Sequence, residues 1–194
     1  MQKKVAKVLA RLEKRRKLEK EKNLPVEKRL RSIPRETGIF FNILLKALKA
    51  KRILEIGTSQ GYSTIWLGLV AKENGGKVIS LENNPESYKN AVKNIREAGL
   101  DKVMQIILGD AKETIKKLSG PFDFVFIDAE KVDYITYFDL VFPKVKKNGL
   151  IMADNIISHF EILKDFKEYV EKIPQVESIL VPIGTGEMMC LKVK

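Results

Sequence analysis

The sequence predicts an α/β fold in which a doubly wound, mostly parallel sheet of seven strands lies between two layers of helices. Three observations predict it. Short β-rich runs alternate with helical stretches from Lys51 onward. Some runs, such as residues 124–127, are apolar at every position, which is typical of strands buried on both faces. Two final runs lie close together in sequence, which predicts an antiparallel C-terminal strand at the end of the sheet.

Length and composition bound the class of protein. A chain of 194 residues fits one domain, and we see no internal repeat and no second domain. No apolar run approaches the ~20 residues that a membrane-spanning helix needs, and the charged N-terminus is no secretion signal. The single cysteine, Cys190, suits a reducing compartment. These features predict a cytoplasmic protein with no membrane partner.

Basic residues are concentrated at the N-terminus, which predicts a helical extension (1–31) followed by the main domain (32–194). The extension holds 13 Lys and Arg and 4 Glu, out of a net charge of +11 for the chain. Residues 2–22 are predicted as an amphipathic helix, ended near Pro25. Its apolar face, which must be buried on its own domain or across a dimer, consists of Val5, Val8, Leu9 and Leu12. The basic charge either contacts an anionic partner such as RNA or forms a solvated surface.

The remaining elements follow in order from periodicity and from β-rich composition. A helix is predicted after Pro34, where apolar residues repeat at helical spacing through Leu48. The predicted strands are 52–56, 77–81, 103–108, 122–127, 150–153, 177–181 and 188–193. The predicted helices between and after them are 63–72, 85–98, 111–118, 134–145 and 159–173.

The first strand runs into a glycine-containing turn, I-L-E-I-G-T-S-Q-G-Y-S-T over residues 53–64. Gly57 lets the chain turn off the strand, and Gly61 lets the backbone approach a ligand before the helix begins. The pattern differs from the G-x-G-x-x-G turn that binds a pyrophosphate. Glu55 is unfavourable beside phosphate but acceptable near a sulfonium or ammonium group. The alternative is a glycine turn that serves packing alone.

Acidic residues also end the second and third strands. Glu82, followed by Asn83, is placed to accept hydrogen bonds from both hydroxyls of a ribose, and its charge would repel a 2′-phosphate. Asp110 ends the third strand, where it either contacts the base of a nucleoside, caps the next helix, or does both. This edge of the sheet therefore predicts a site for an unphosphorylated nucleoside.

The ends of the fourth and fifth strands carry Asp128, Asp154 and Asn155. Adjacent parallel strands end at the same edge, so these side chains are expected to converge. Two carboxylates and an amide oxygen suit Mg²⁺ or Ca²⁺ rather than Zn²⁺, with positions left open for water and substrate. The alternative is that these acids cap helices. The lone His159 lacks partners for a metal site of its own.

At these residues the sequence resembles the cation-dependent O-methyltransferase family of the catechol and caffeoyl-CoA type, within the Rossmann-like class I S-adenosylmethionine methyltransferases. The likeness covers about residues 33–194. The segments that carry it are LEIGTSQGYST (54–64), SLENNPE (80–86), LGDA (108–111), FIDAEKVDYITYF (126–138) and ADN (153–155). One departure is Glu130, where relatives often have Asp or a neutral residue, and it leaves the metal ligands intact.

The resemblance implies a cofactor, a metal and a catalytic residue. S-adenosylmethionine would be lined by Ile33, Glu55, Gly57, Thr58, Gly61, Tyr62, Ser63, Glu82, Asn83, Asp110, Ala111 and Asp128. Mg²⁺, or another hard divalent cation such as Ca²⁺ or Mn²⁺, would be bound by Asp128, Asp154 and Asn155. Lys131 would be the catalytic lysine. Relatives are often dimeric, which implies a homodimer.

The implied reaction is methyl transfer to one of two vicinal hydroxyls on a small, catechol-like aromatic substrate. The alternative acceptor is 5-hydroxyuridine in transfer RNA, which the basic N-terminal segment would favour. Two other classes of protein are alternatives to a methyltransferase: a nicotinamide (NAD) dehydrogenase and a non-catalytic RNA-binding module. The first lacks its third glycine and leaves Asp154 and Asn155 unexplained, whereas the second would need only the basic helix.

Overall fold

The structure, a computed structural model, describes residues 2–23, 30 and 32–194. The expected helix break at Pro25 lies outside the described residues. The strands are β1 (Arg52–Ile56), β2 (Lys77–Glu82), β3 (Met104–Leu108), β4 (Phe122–Ile127), β5 (Val145–Ala153), β6 (Val176–Val181) and β7 (Glu187–Lys192). The helices are α1 (Lys3–Glu21), α2 (Arg35–Ala47), α3 (Tyr62–Asn74), α4 (Pro85–Ala98), α5 (Ala111–Lys117), α6 (Tyr134–Val141) and α7 (Phe160–Glu171).

All seven strands form one sheet in the order β3-β2-β1-β4-β5-β7-β6. Strands β1 to β5 pair in parallel, whereas β7 runs antiparallel to both β5 and β6. The chain winds outward from β1 in one direction and then from β4 in the other, so the strand order reverses between them. This confirms the predicted doubly wound, mostly parallel sheet with an antiparallel C-terminal strand.

Helices cover both faces of the sheet and enclose two apolar cores. Helices α1 to α4 bury their apolar residues on one face, together with Phe124 and Phe126 of β4. Helices α5 to α7 cover the other face, where Tyr134 and Phe166 pack edge to face with ring centroids 5.5 Å apart. Since β4 lies in the middle, its side chains are buried alternately on both sides, which explains its continuous apolar sequence.

Helix α1 packs on its own chain, against α3 and α4. Its predicted apolar face is buried, with Val5 and Leu9 fully inaccessible to solvent. Arg11 bonds through Nη2 to Asn94 Oδ1 at 2.6 Å and forms an ion pair with Glu97. Of the two burial sites that the sequence left open, the structure therefore shows the chain's own core.

Two predicted boundaries around β5 are wrong. Helix α6 ends at Val141 instead of 145, because Phe142–Lys144 form a 3₁₀ turn around Pro143. Strand β5 then begins at Val145 instead of 150. Its residues 146–148 are exposed and polar, and the β4–β5 register is irregular there, so this part of the strand lacks the apolar signal. Across the described ranges, none of the helices has the length and apolar character that crossing a membrane requires.

Candidate active site

The glycine turn between β1 and α3 lies against the loop that follows β4. Gly57 has φ 102°, and its N–H donates to the carbonyl of Leu81 at 3.0 Å. A β-carbon on Gly57 would lie 2.1 Å from the backbone oxygen of Asp128, so only glycine fits. Gly61, with φ 82°, precedes the first residue of α3. The turn and the loop of Asp128 therefore share one edge of the sheet.

Glu55 lies behind this turn and is fully buried. Its carboxylate accepts hydrogen bonds from Ser63 Oγ at 2.5 Å, Thr64 Oγ1 at 2.6 Å and Ser80 Oγ at 2.6 Å. Burial raises the pKa of Glu55 to about 7, although these hydroxyls oppose the rise. Thr58 joins the network through Ser80, with 2.6 Å between the two hydroxyl oxygens. Glu55 therefore fixes Ser63 and the start of α3, and its contact with a cofactor stays a prediction.

Glu82 is held in place at the tip of β2. The N–H of Ser59 donates to Oε2 at 2.7 Å, and the N–H of Asn84 donates to Oε1 at 2.8 Å. Each oxygen keeps a lone pair that can accept a ligand hydroxyl. The sequence analysis missed Ser59, whose positive φ of 50° turns its N–H toward Glu82. Asn83 is exposed beside this carboxylate.

Asp110 is the N-cap of α5, since its Oδ1 accepts from the N–H of Lys112 at 2.7 Å and of Glu113 at 3.3 Å. This confirms the capping role, and Ala111 is the first residue of the helix. Asp110 remains exposed, so a nucleoside base can still contact it.

Helix α1 occupies the polar atoms of two other predicted cofactor residues. The hydroxyl of Tyr62 donates to Glu13 Oε1 at 2.7 Å, and the carbonyl of Ile33 accepts from Arg16 Nη1 at 3.2 Å. Both residues are buried. The structure thus places Tyr62 and Ile33 against α1.

The acids after β4 and β5 lie at neighbouring strand ends. The N–H of Asp128 donates to the carbonyl of Ile56 at 2.9 Å, and that of Asp154 donates to the carbonyl of Ile127 at 3.1 Å. Asp154 is 2% exposed. Its Oδ1 accepts from the N–H of Asn155 at 2.6 Å and from the hydroxyl of Thr185, a residue that the sequence analysis did not single out.

Asn155 and Lys131 flank these acids. Asn155 has φ 71°, and its Nδ2 donates to Ser158 Oγ at 3.2 Å, which leaves its amide oxygen available as an acceptor. Lys131 Nζ donates to Asp128 Oδ1 at 2.9 Å and to the carbonyl of Ala129 at 3.0 Å. Lys131 therefore lies beside the predicted metal ligands, as the sequence suggested.

Within the described ranges, no donor bonds to the buried Glu187 carboxylate near this cluster, and the buried Tyr134 hydroxyl has no hydrogen-bond partner. Burial raises the pKa of Glu187 well above its usual value, and the charges of Asp154 and Asp128 raise it further. Burial likewise raises the pKa of Tyr134, and Asp128, Asp154 and Glu187 act in the same direction. The carboxylates therefore converge on one region. In the sequence, the feature that could have identified Glu187 is its place as a lone acid at the start of an apolar strand.

The donor set of Asp128, Asp154 and Asn155 fits a hard divalent cation, because it offers two carboxylates and an amide oxygen next to an unpartnered buried carboxylate. Within the described part of the chain, no three His, Cys, Asp or Glu side chains are grouped closely enough to hold a metal by themselves. The set thus depends on the asparagine and leaves positions open for other ligands.

A reversed strand order, with a glycine turn and a carboxylate at the tip of the next strand on the same sheet edge, is typical of doubly wound α/β proteins that bind nucleosides. The chain belongs to the O-methyltransferase family, whose family model matches residues 6–193. This confirms the resemblance drawn from the motifs. The match begins within α1, earlier than the expected residue 33.

Relatives support the same placement. The chain is 39% identical over 138 residues to a catechol O-methyltransferase of Niastella koreensis, covering 69% of this chain and 62% of the relative. It is 36% identical over 135 residues to one of Mycobacterium tuberculosis, covering 69% and 61%. The chain thus spans less than two thirds of the length of these relatives. An O-methyltransferase of Bacillus cereus, solved in complex with SAH, superposes with a TM-score of 0.80 at 26% identity, covering 99% of this chain and 91% of that one.

Proposed function

We propose that this protein is an S-adenosylmethionine-dependent O-methyltransferase that acts, with a divalent cation, on a small aromatic substrate with vicinal hydroxyls. The observation that carries the proposal is the contact between Gly57 of the turn and the backbone of Asp128. It brings the glycine turn to the same edge of the sheet as the acid cluster, which consists of Asp128 and Asp154. The family match and the names of the catechol O-methyltransferase relatives support it.

The cofactor would lie along the glycine turn. Glu82, already fixed by two backbone N–H groups, would accept hydrogen bonds from the ribose hydroxyls. Ser63, held by Glu55, lies in the first turn of α3 and would contact the amino-acid part of the cofactor. The SAH in the Bacillus cereus structure supports this choice of cofactor.

The cation would be bound by Asp128, Asp154 and Asn155, with Mg²⁺ first and Ca²⁺ or Mn²⁺ as alternatives. When bound, it would stabilise negative charge on the acceptor oxygen. The hydrogen bonds from Asn155 and Thr185 hold the Asp154 carboxylate in one orientation. This pre-organisation is what a site that aligns two oxygens requires.

Lys131 would assist removal of the proton from the attacking hydroxyl, since its Nζ lies at the rim of the acid cluster. The cofactor, when bound, would supply the methyl group and would keep the electron pair of its carbon–sulfur bond on sulfur. The protein contributes mainly by alignment, an effect worth up to roughly 7–11 kcal/mol for well-held reactants.

The acceptor is the part of the proposal that rests on names of relatives rather than on contacts. A small catechol is preferred because the relatives with the highest identity quoted above are catechol O-methyltransferases. None of the names of these relatives supports a transfer RNA acceptor. A homodimer and the division of the chain at residue 31 both stay predictions.

The test is a methyl-transfer assay with labelled S-adenosylmethionine, with and without Mg²⁺, on a panel of catechols and on bulk transfer RNA. We expect label on a catechol that disappears when the cation is chelated. Lys131→Met should lower kcat by about 10²–10⁴-fold. Lys172→Met, which changes an exposed lysine directly after α7, should match the unaltered protein. Label on transfer RNA alone, or equal rates in chelator, would contradict the proposal.

A further inference from the structure

We infer that Glu187 is a positioning residue of the cation site, whose buried carboxyl group behind Asp154 raises the affinity of that site for a divalent cation. The inference rests on the proposed function, because it assumes that Asp128, Asp154 and Asn155 bind a cation. It adds a carboxylate from the antiparallel C-terminal strand, which the motifs of the parallel strands do not include.

The sheet register brings Glu187 to this place. Met188 of β7 pairs with Ala153 of β5 in an antiparallel register. The next residues along these two segments, Glu187 and Asp154, are therefore neighbours. The loop before β7 also binds the loop after β5, since the carbonyl of Thr185 accepts from the N–H of Ile157 at 3.1 Å. Glu187 is therefore held behind the acid cluster by the backbone.

The carboxyl group of Glu187 lacks a hydrogen-bond donor and an ion-pair partner among the described residues. The residue is 0% exposed, no donor in the described part of the chain bonds to either oxygen, and the side chain beside it is the acidic Asp154. Buried carboxylates are costly unless they are paired or bind a metal. The residues that follow it in β7, Met188 to Cys190, are buried or half-buried and apolar or weakly polar, so an apolar side chain would suit this strand.

Lys131 does not serve as the ion-pair partner of Glu187. Lys131 acts on Glu187 electrostatically, but its hydrogen bonds go to Asp128 and to the carbonyl of Ala129. The hydroxyl of Thr185 is directed to Asp154. Among the described residues Glu187 therefore has no ion-pair partner, and a bound cation would supply positive charge near it.

Removing the Glu187 carboxyl group is expected to have opposite effects on cation affinity and on the stability of the cation-free protein. Groups behind metal ligands typically change metal affinity by about 10–100-fold when they are removed. By contrast, replacing an uncompensated buried carboxylate with a neutral side chain stabilises a protein, or leaves it unchanged, when no metal is bound. A residue with a merely structural role would lower stability and leave cation affinity unchanged.

The experiment measures cation affinity and thermal stability together. Mg²⁺ and Mn²⁺ are titrated by calorimetry into the full chain, its Glu187→Gln variant, which keeps the shape, and its Glu187→Leu variant, which fills the space. Tm is recorded without cation and with saturating cation. The control is Glu177→Gln, which removes an exposed carboxylate from the neighbouring strand β6.

We expect both Glu187 variants to bind the cations about 10–100-fold more weakly, with a cation-free Tm equal to or above that of the unaltered protein. Glu177→Gln should change neither quantity. Unchanged affinity in both Glu187 variants would overturn the inference, as would a lack of cation binding by the unaltered chain.

The methyl-transfer assay separates this failure from failure of the proposed function. Methylation of a catechol with Mg²⁺, together with unchanged affinity in the Glu187 variants, would overturn only the inference. Cation binding that depends on Glu187, without methyl transfer to any acceptor, would overturn only the proposed reaction.

Discussion

Gly57 and the backbone carbonyl of Asp128 are in contact, with no room for a side chain between them. The first residue belongs to the turn proposed for the cofactor, and the second begins the loop proposed for the cation. Because this contact joins the two sites directly, a change at the contact itself is expected to disturb both sites.

Gly57→Ala should therefore destabilise the protein and weaken cofactor binding. Its β-carbon would lie 2.1 Å from Asp128 O in a backbone conformation, φ 102°, that alanine rarely adopts. We expect a loss of about 3 kcal/mol in the free energy of unfolding, measured by denaturant titration, and weaker SAH binding by calorimetry. Gly75→Ala is the control, since Gly75 also has positive φ but no atom within 4 Å. Equal losses in both variants would show that the Asp128 contact has no effect.

Asp154→Ala should abolish cation-dependent turnover and spare most cofactor binding. Asp154 lies at the tip of β5 and takes no part in the turn that would hold the cofactor. The measurements are methyl transfer across a Mg²⁺ titration and SAH affinity by calorimetry. Asp165→Ala, an exposed acid on α7, should behave as the unaltered protein does. Turnover by Asp154→Ala that persists in chelator would remove the cation from the mechanism.

The stability of the protein should depend on the protonation of Glu55. Its pKa is raised from 4.5 to about 7, so the folded state holds this proton more tightly than the unfolded state does. The contribution of Glu55 to the free energy of unfolding is fully present below pH 4.5 and is lost as the pH rises to about 7. The free energy of unfolding decreases by about 3 kcal/mol over this range. Ser63, Thr64 and Ser80 face the carboxylate, and Asp128 raises its pKa slightly.

Denaturant unfolding at pH 5 and pH 8 measures this effect. In Glu55→Gln the decrease between the two pH values should be smaller than in the unaltered protein by that amount. Glu161→Gln, which removes an acid that is 85% exposed, should keep the full decrease. An identical pH profile in Glu55→Gln would show that Glu55 titrates as an ordinary carboxyl.

Helix α1 should be part of the folded core rather than an independent appendage. Leu9 is fully buried and Leu18, on the same helix, is 44% exposed. Leu9→Ala should lower the free energy of unfolding by about 2–5 kcal/mol, and Leu18→Ala should change it by less than about 1 kcal/mol. Denaturant unfolding of both variants is the measurement. Similar small effects would mean that α1 contributes little to the fold.

Local signals explain why most elements were predicted well. The bounds of β1, β4 and α4 agree with the prediction, since each has a continuous apolar run or a clear cap and period. The exposed first part of β5 has neither signal, and its position in the sheet comes from pairing with β4. The boundary at Val145 was therefore not available from the sequence.

The sequence by itself determined the order of strands and helices, the glycine turn and the acids at the strand ends. These depend on residues close together in the chain, because periodicity, turn chemistry and strand polarity are local properties. Only the tertiary structure decided that α1 is buried on α3 and α4, and that Glu187 lies behind Asp154. Both contacts join distant segments through the packing of helices and the order of strands, which no local pattern encodes.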